Sequence, residues 1–97
     1  MDVDALSRRL IAVGCVVAGI GVAAGAFGAH MLKTILEPPM LAAYDTATRY
    51  QMYHAFGMVL VGMAMRVFDD RRLAMAGWLF ATGMLLFCGS LYGIALA

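Results

Sequence analysis

The sequence predicts an all-α integral membrane bundle of three transmembrane helices, with an external amphipathic extension before the second. Three observations carry that expectation. Apolar runs occupy Leu10–Ala29, Tyr50–Met65 and Leu73–Ala97, and every Asp, Glu, Lys and Arg lies outside them. The chain is 64% hydrophobic and 13% charged, where a soluble domain is nearer one half and one quarter. With 97 residues it cannot hide that much apolar surface in its own core, because small domains leave much of their surface exposed. Lipid must cover the rest. The length allows one transmembrane domain, 1–97, with helices expected at about 8–30, 40–68 and 72–96.

Met1–Arg9 is a polar head carrying Asp2, Asp4, Arg8 and Arg9. The uncharged run after it has the length a helix needs to cross a ~30 Å hydrocarbon core. A signal peptide is the rival reading. Arg8–Arg9 would be its charged region, Ala24-Gly25-Ala26 its small-residue cleavage site, and Ser7-Arg8-Arg9 is similar to a twin-arginine signal. The run is long for a signal core, and the remainder would still be a membrane protein. Gly14, Ala18, Gly21, Gly25 and Gly28 alternate four and three apart and form one smooth stripe. In a membrane such a stripe lets a second helix approach closely, so it is expected to face a helix. The plainer reading is that glycine is frequent in membrane helices.

Glu37-Pro38-Pro39 stops any helix arriving from the left, and Pro39 suits the start of the next. From Met40 the chain reads as helix, with Leu41, Tyr44, Thr48 and Met52 on one side and Asp45–Arg49 as an acid-first pair one turn apart. Unbroken to Phe68, that helix is about 45 Å long, more than the ~30 Å core. Its first turns should then project, lie along the membrane surface, or bend away near Gly57. Arg66–Arg72 is a charged turn. Leu73–Ala97 is a third helix, with Trp78 and Tyr92 placed for the interfacial aromatic belts. Arg8, Arg9, Arg66, Arg71 and Arg72 lie on the side of the N-terminus, and Lys33 and Arg49 on the other. That bias predicts a cytoplasmic N-terminus and an external Met31–Arg49 segment.

Little in the runs points to chemistry. The net charge of +1 and the lack of a basic stripe exclude a nucleic-acid partner. Cys15 and Cys88 fall at depths differing by roughly 10 Å, too far for a disulfide, and both read as buried thiols that pack as small apolar residues. Gly19-Ile20-Gly21-Val22-Ala23-Ala24 lacks the preceding strand of a dinucleotide fingerprint. Gly89-Ser90-Leu91-Tyr92-Gly93 has its serine in the wrong place for a nucleophile elbow. Ser90 is expected to bond within its helix or to a neighbour. Methionines such as Met52, Met58, Met63 and Met84 suggest copper, but their spacing shows no repeated pair and gap-filling is the better account.

His30 and His54 are the only histidines. A hairpin brings both toward the external surface, where they are candidate ligands for haem or a metal, or a proton-sensitive contact. The favoured reading is an interfacial histidine: His30 suits the negative end of helix one, and His54 can bond Tyr50, Tyr53 or a carbonyl. Two histidines alone do not complete a zinc site. Arg49 pairs with Asp45 in the plain reading and binds an anionic lipid headgroup in the sharper one.

Three ordered segments carry a family resemblance. They are Gly25-Ala26-Phe27-Gly28-Ala29-His30, then Tyr44 through Tyr50-Gln51-Met52-Tyr53-His54-Ala55, then Gly83 with Phe87-Cys88-Gly89-Ser90-Leu91-Tyr92. Together they resemble the small membrane proteins called domain of unknown function 423, whose bacterial members are similar to the mitochondrial-type transmembrane protein 256. The resemblance implies a helical membrane bundle and no known reaction, substrate or cofactor. It raises the standing of His30, Tyr50, Gln51, His54, Ser90 and Tyr92. Cys88 stands where the family pattern usually has serine. The family normally continues into a fourth helix, entered through a Gly/Pro-containing turn, whereas this sequence stops at Ala97: either the protein is short or its tail lies beyond this sequence, and a missing fourth helix would leave a groove for another subunit or a second copy.

Two functional readings follow. The first is a non-enzymatic structural or accessory subunit, embedded in membrane lipid. Its small-residue stripe and Gly83, Gly89 and Gly93 pack against partner helices, in a homo-oligomer or a larger complex. The second is a binder of a small ligand or redox cofactor through His30 and His54. A transporter is weaker, because the runs hold no ionisable lining.

Overall fold

The computed structural model describes residues 2–97. It holds three long helices, α1 (Val3–His30), α2 (Pro38–Ala64) and α3 (Arg71–Leu96), with a single 3-10 turn at Leu32–Thr34. They form a narrow rod of 48 × 19 × 15 Å. α2 lies in the middle. α1 and α3 pack along it on either side and scarcely meet each other. No strand occurs among the described residues.

The polar head is not a separate segment. Asp2 is extended and its carboxylate accepts from the Asp4 amide at 3.0 Å, satisfying one of the free N–H groups that open a helix. α1 therefore begins at Val3 and runs unbroken through the charges into the apolar run. Asp4 then pairs with Arg8 at 3.2 Å and with Arg66 across the bundle at 3.0 Å. Both pairs are exposed, and such pairs add little stability; the second ties the start of α1 to the end of α2.

Pro38 opens α2, its missing N–H being one that no helix needs. The first turns of α2 do not lie apart from the bundle. Tyr44 and Leu41 pack with Leu32, Leu36 and Ala24, at the end of α1 and the turn beyond it. α2 continues through Gly57 without a break. Gly57 instead admits Phe80 of α3, whose ring lies 2.6 Å from where a β-carbon would stand. α2 ends at Ala64, earlier than the apolar pattern places it, because Arg66, Val67 and Phe68 turn their amides back onto Met63 and Ala64. Asp70 then caps α3, accepting from the Arg72 amide at 2.9 Å, while the Arg72 guanidinium binds both its carboxylate oxygens. Those bonds hold the Asp70 carboxyl below its usual range and give α3 a charged N-terminal clasp on the same side as Arg8 and Arg9.

The α1–α2 contact follows a seven-residue rule. Ser7, Gly14, Gly21 and Gly28 are all buried in α1. On α2 two series seven apart are buried: Tyr44, Gln51, Met58, Met65, and Thr48, Ala55, Gly62. A seven-residue repeat keeps one seam facing a partner when two helices wind around each other left-handedly. The helices run antiparallel, so Gly28 meets Tyr44, Gly21 meets Gln51 and Met52, Gly14 meets Ala55 and Val59, and Ser7 meets Gly62. Backbone nearly touches backbone: a β-carbon on Gly14 would stand 2.9 Å from the Ala55 carbonyl oxygen, and one on Gly62 2.9 Å from that of Ser7. In lipid, close packing of this kind drives helix association. The rest of the sequence stripe divides: Ala18 is half-buried, and Gly25 has nothing within 4 Å of a β-carbon.

Two apolar clusters fill the interior. Leu6, Leu10, Met58, Val61 and Met65 sit at the end holding the N-terminus, and Leu32, Tyr44 and Ala95 at the other. The outer surface is apolar as well, with Leu60, Leu79, Leu85 and Leu86 each about two-thirds exposed. α1 with its following turn, and α3, are long and apolar enough to cross a membrane.

Candidate functional site: a polar network between the helices

The seven-residue seam that buries glycines on α1 buries two hydrogen-bonding side chains opposite them on α2. Tyr44 lies over Gly28 and Gln51 beside Gly21, in space that any side chain on those glycines would take. The Tyr44 hydroxyl donates to the Ala24 carbonyl, and the Gln51 amide donates to the Val17 carbonyl at 2.9 Å. Both carbonyls lie inside α1, where a carbonyl oxygen has a second lone pair to offer. From α3, the Tyr92 hydroxyl donates to the Gln51 carbonyl oxygen at 2.6 Å. The Tyr92 ring meets that of Tyr44 edge to face at 5.5 Å. One glutamine thus joins α1, α2 and α3. No buried side-chain nitrogen or oxygen among the described residues lacks a partner, so this network is bonded throughout and serves to lock three helices in one register.

A second link closes the opposite end. Ser7 donates to the Gly62 carbonyl at 2.7 Å, and Arg66 reaches Ser7 Oγ at 3.4 Å. Sequence reasoning read Ser7 only as part of Ser7-Arg8-Arg9 and not as a helix contact, although it continues the spacing of Gly14, Gly21 and Gly28. It also placed Tyr44 on a helix face without assigning it a bond.

The remaining candidates scatter. His54 packs toward α3: its ring lies 6.1 Å from that of Phe80, and Nε2 is 3.6 Å from where a β-carbon on Gly83 would be. Its Nδ1 meets the Tyr50 carbonyl. His30 is exposed at the end of α1. The register that pairs Gly28 with Tyr44 and Gly21 with Gln51 sets the two histidines apart by roughly 18 Å along the helix pair. They are not brought to a common ligand, and no group of three His, Cys, Asp or Glu side chains fit for a metal forms among the described residues.

Arg49 is exposed and does not pair with Asp45; the ion pairs among the described residues are Asp4–Arg8, Asp4–Arg66 and Asp70–Arg72. Asp45 instead receives the Thr48 hydroxyl on its backbone carbonyl at 2.9 Å. Tyr50 is exposed, with its ring edge to face against Tyr53 and Phe87. Ser90 turns back to the Phe87 carbonyl of its own helix at 2.8 Å. Gly89 and Gly93 have nothing within 4 Å and open outward. Cys15 and Cys88 are both free; Cys88 is buried as expected, but Cys15 is exposed on the outer face of α1, not buried, because it falls off the seam that faces α2.

An all-helical rod with an apolar outer surface, whose inner polar groups are spent joining helix to helix, is a small helical membrane protein. The chain belongs to the family described as Protein of unknown function (DUF423), whose model matches residues 24–97. It is 38% identical over 89 residues to a UPF0382 membrane protein of Staphylococcus epidermidis, covering 92% of this chain and 72% of that one. It is 39% identical over 86 residues to the UPF0382 membrane protein YwdK of Bacillus subtilis, covering 88% and 70%. A UPF0382 membrane protein of Haemophilus influenzae is 47% identical over 75 residues, covering 76% and 59%. No solved structure matches the chain.

Proposed function

We propose that the chain is a non-enzymatic accessory subunit of a membrane assembly, crossing a bacterial inner membrane three times with its N-terminus in the cytoplasm. The observation that carries the subunit reading is the Gly89–Gly93 pair. The two lie one turn apart on α3, both exposed, with open space where a side chain would stand. Glycines four apart form the surface on which a second membrane helix packs closely. Ser7, Tyr44, Gln51 and Tyr92 are meanwhile occupied in bonds between helices, which is what a packing element requires. The expected result is that a stoichiometric partner copurifies in gentle detergent from native membranes and is lost on Gly89→Leu with Gly93→Leu, while helicity by circular dichroism is unchanged. A chain that purifies alone, or a partner indifferent to both substitutions, defeats the reading.

The three crossings rest on packing. α2 lies antiparallel along α1 and between the two apolar helices, so it crosses wherever they do. Its polar half, with Asp45 and Arg49, then faces the external leaflet. By register Arg49 lies about 9 Å inside the end of the apolar run, within reach of external headgroups for a long side chain that keeps its charge in water. Arginines concentrate at the other end, the bias expected of a cytoplasmic face. A reporter active only outside the cytoplasm is expected to work when fused after Ala97 and to stay silent when inserted at Asp69; the opposite pattern inverts the topology.

A further inference from the structure

A cavity of about 530 Å³ lies between the first halves of α1 and α3. It opens beside the contact of Leu10 with Gly77, where a β-carbon on the glycine would stand 2.6 Å from Leu10 Cδ1. Leu6, Leu10 and Val13 wall it from α1 and Ala81 from α3, over a floor that includes Met58. Its size falls within the ~300–1,000 Å³ of small-molecule sites. A second cavity of about 220 Å³, walled by Val17, Ile20 and Leu85, continues the same groove deeper along the helices. Inside a bilayer, an apolar groove of this kind is filled by acyl chains rather than water.

The mouth gives the groove a chemistry. It is lined by Asp2, Arg9 and Trp78. Arg9 immediately precedes the apolar run, at the level of lipid phosphates. Arg8, Arg66 and Arg72 each have a carboxylate partner; Arg9 has none within 4 Å among the described residues. Its long side chain leans toward the start of α1, as helical side chains do, and so toward Asp2. The Asp2 carboxylate accepts from the Asp4 amide through Oδ1. Trp78 lies beside the same opening, the position of an interfacial aromatic ring. A cation and an anion thus stand together above an apolar slot.

We propose that this groove is a binding site for one glycerophospholipid of the leaflet on the N-terminal side, with an acyl chain along Leu6, Leu10, Val13 and Ala81 and the phosphate on Arg9. Asp2 meets the ammonium group of an ethanolamine headgroup, so an amine-bearing lipid is preferred over phosphatidylglycerol. The site goes beyond the accessory-subunit reading and does not depend on it.

The test is native mass spectrometry of the full chain released from nanodiscs of equal phosphatidylethanolamine and phosphatidylglycerol. The wild type is expected to retain one phosphatidylethanolamine per chain. Arg9→Ala, which breaks no ion pair among the described residues, should lower retention by roughly fivefold, the effect of one cation at a lipid surface. Arg8→Ala, whose guanidinium is already paired with Asp4, should leave it unchanged. Asp2→Asn should keep a lipid but remove the headgroup preference, and Ala81→Phe should expel both lipids by filling the slot. Equal loss in Arg9→Ala and Arg8→Ala overturns the site, as does a wild type that retains no lipid or one whose groove is closed by a second copy of the chain.

Discussion

Gly62→Ala is expected to destabilise the bundle by about 1–3 kcal/mol, the range for forcing extra volume into a filled interior. The new β-carbon would stand 2.7 Å from Ile11 Cγ1 and 2.9 Å from the Ser7 carbonyl oxygen. A rotamer change can move the first atom but not the second, so α1 and α2 must separate, stretching the 2.7 Å Ser7–Gly62 bond. Gly14→Ala should act similarly, since its β-carbon would meet the Ala55 carbonyl oxygen at 2.9 Å. Gly19→Ala and Gly25→Ala are the controls. Neither position has a heavy atom within 4 Å, and alanine is the better helix former by up to ~1 kcal/mol, so both should be neutral or stabilising. Unfolding measured in bicelles or by SDS titration checks the series. Equal effects at all four positions would mean that glycine content, and not this seam, sets the stability.

Gln51→Leu is expected to cost about 1–2 kcal/mol, near the upper end for an interhelical hydrogen bond in a membrane. The Val17 carbonyl tolerates the loss, as an oxygen inside α1. The Tyr92 hydroxyl does not: Gln51 is its acceptor, and an orphaned donor in an apolar interior carries its full desolvation cost. That asymmetry makes a double-mutant cycle informative. Tyr92→Phe in the Gln51→Leu background should cost much less than in the wild type, because the donor it removes is already unpaired. Strictly additive effects would show that the two side chains do not bond in the folded protein.

The fold and the site were legible in unequal measure. Apolar runs of membrane length, the Glu37-Pro38 interruption and the alternating small residues of α1 are periodic or compositional signals, and they predict an all-helical chain with a smooth face. The ends of the helices were less readable, because they turn on single side chains. The Asp2 and Asp70 carboxylates cap α1 and α3, and nothing in hydropathy distinguishes a capping aspartate from a loop aspartate. Partners across the bundle were the least readable. Asp45 and Arg49 have the ideal spacing for a pair and do not form one, while Asp4 and Arg66, far apart in sequence, meet at 3.0 Å. Likewise His30 and His54 share an outward tendency in a hairpin drawing, yet register and helix rotation send one to an open end and the other onto Gly83. Rotation about the helix axis becomes known only once the seam is, and the seven-residue recurrence of Ser7, Gly14, Gly21 and Gly28 was the signal that could have revealed it.

The central position of α2 bears on how the chain enters the bilayer. α1 and α3 are each long and apolar enough to cross a membrane, whereas α2 carries Asp45 and Arg49, charged groups that cost energy to take into lipid even toward its edge. α2 has little reason to leave water before α1 offers it a partner. The short turn at Leu32–Thr34 keeps the two adjacent from the moment of synthesis. With α2 crossing as proposed, insertion as a two-helix hairpin followed by α3 is the order that never strands the charged helix alone in lipid.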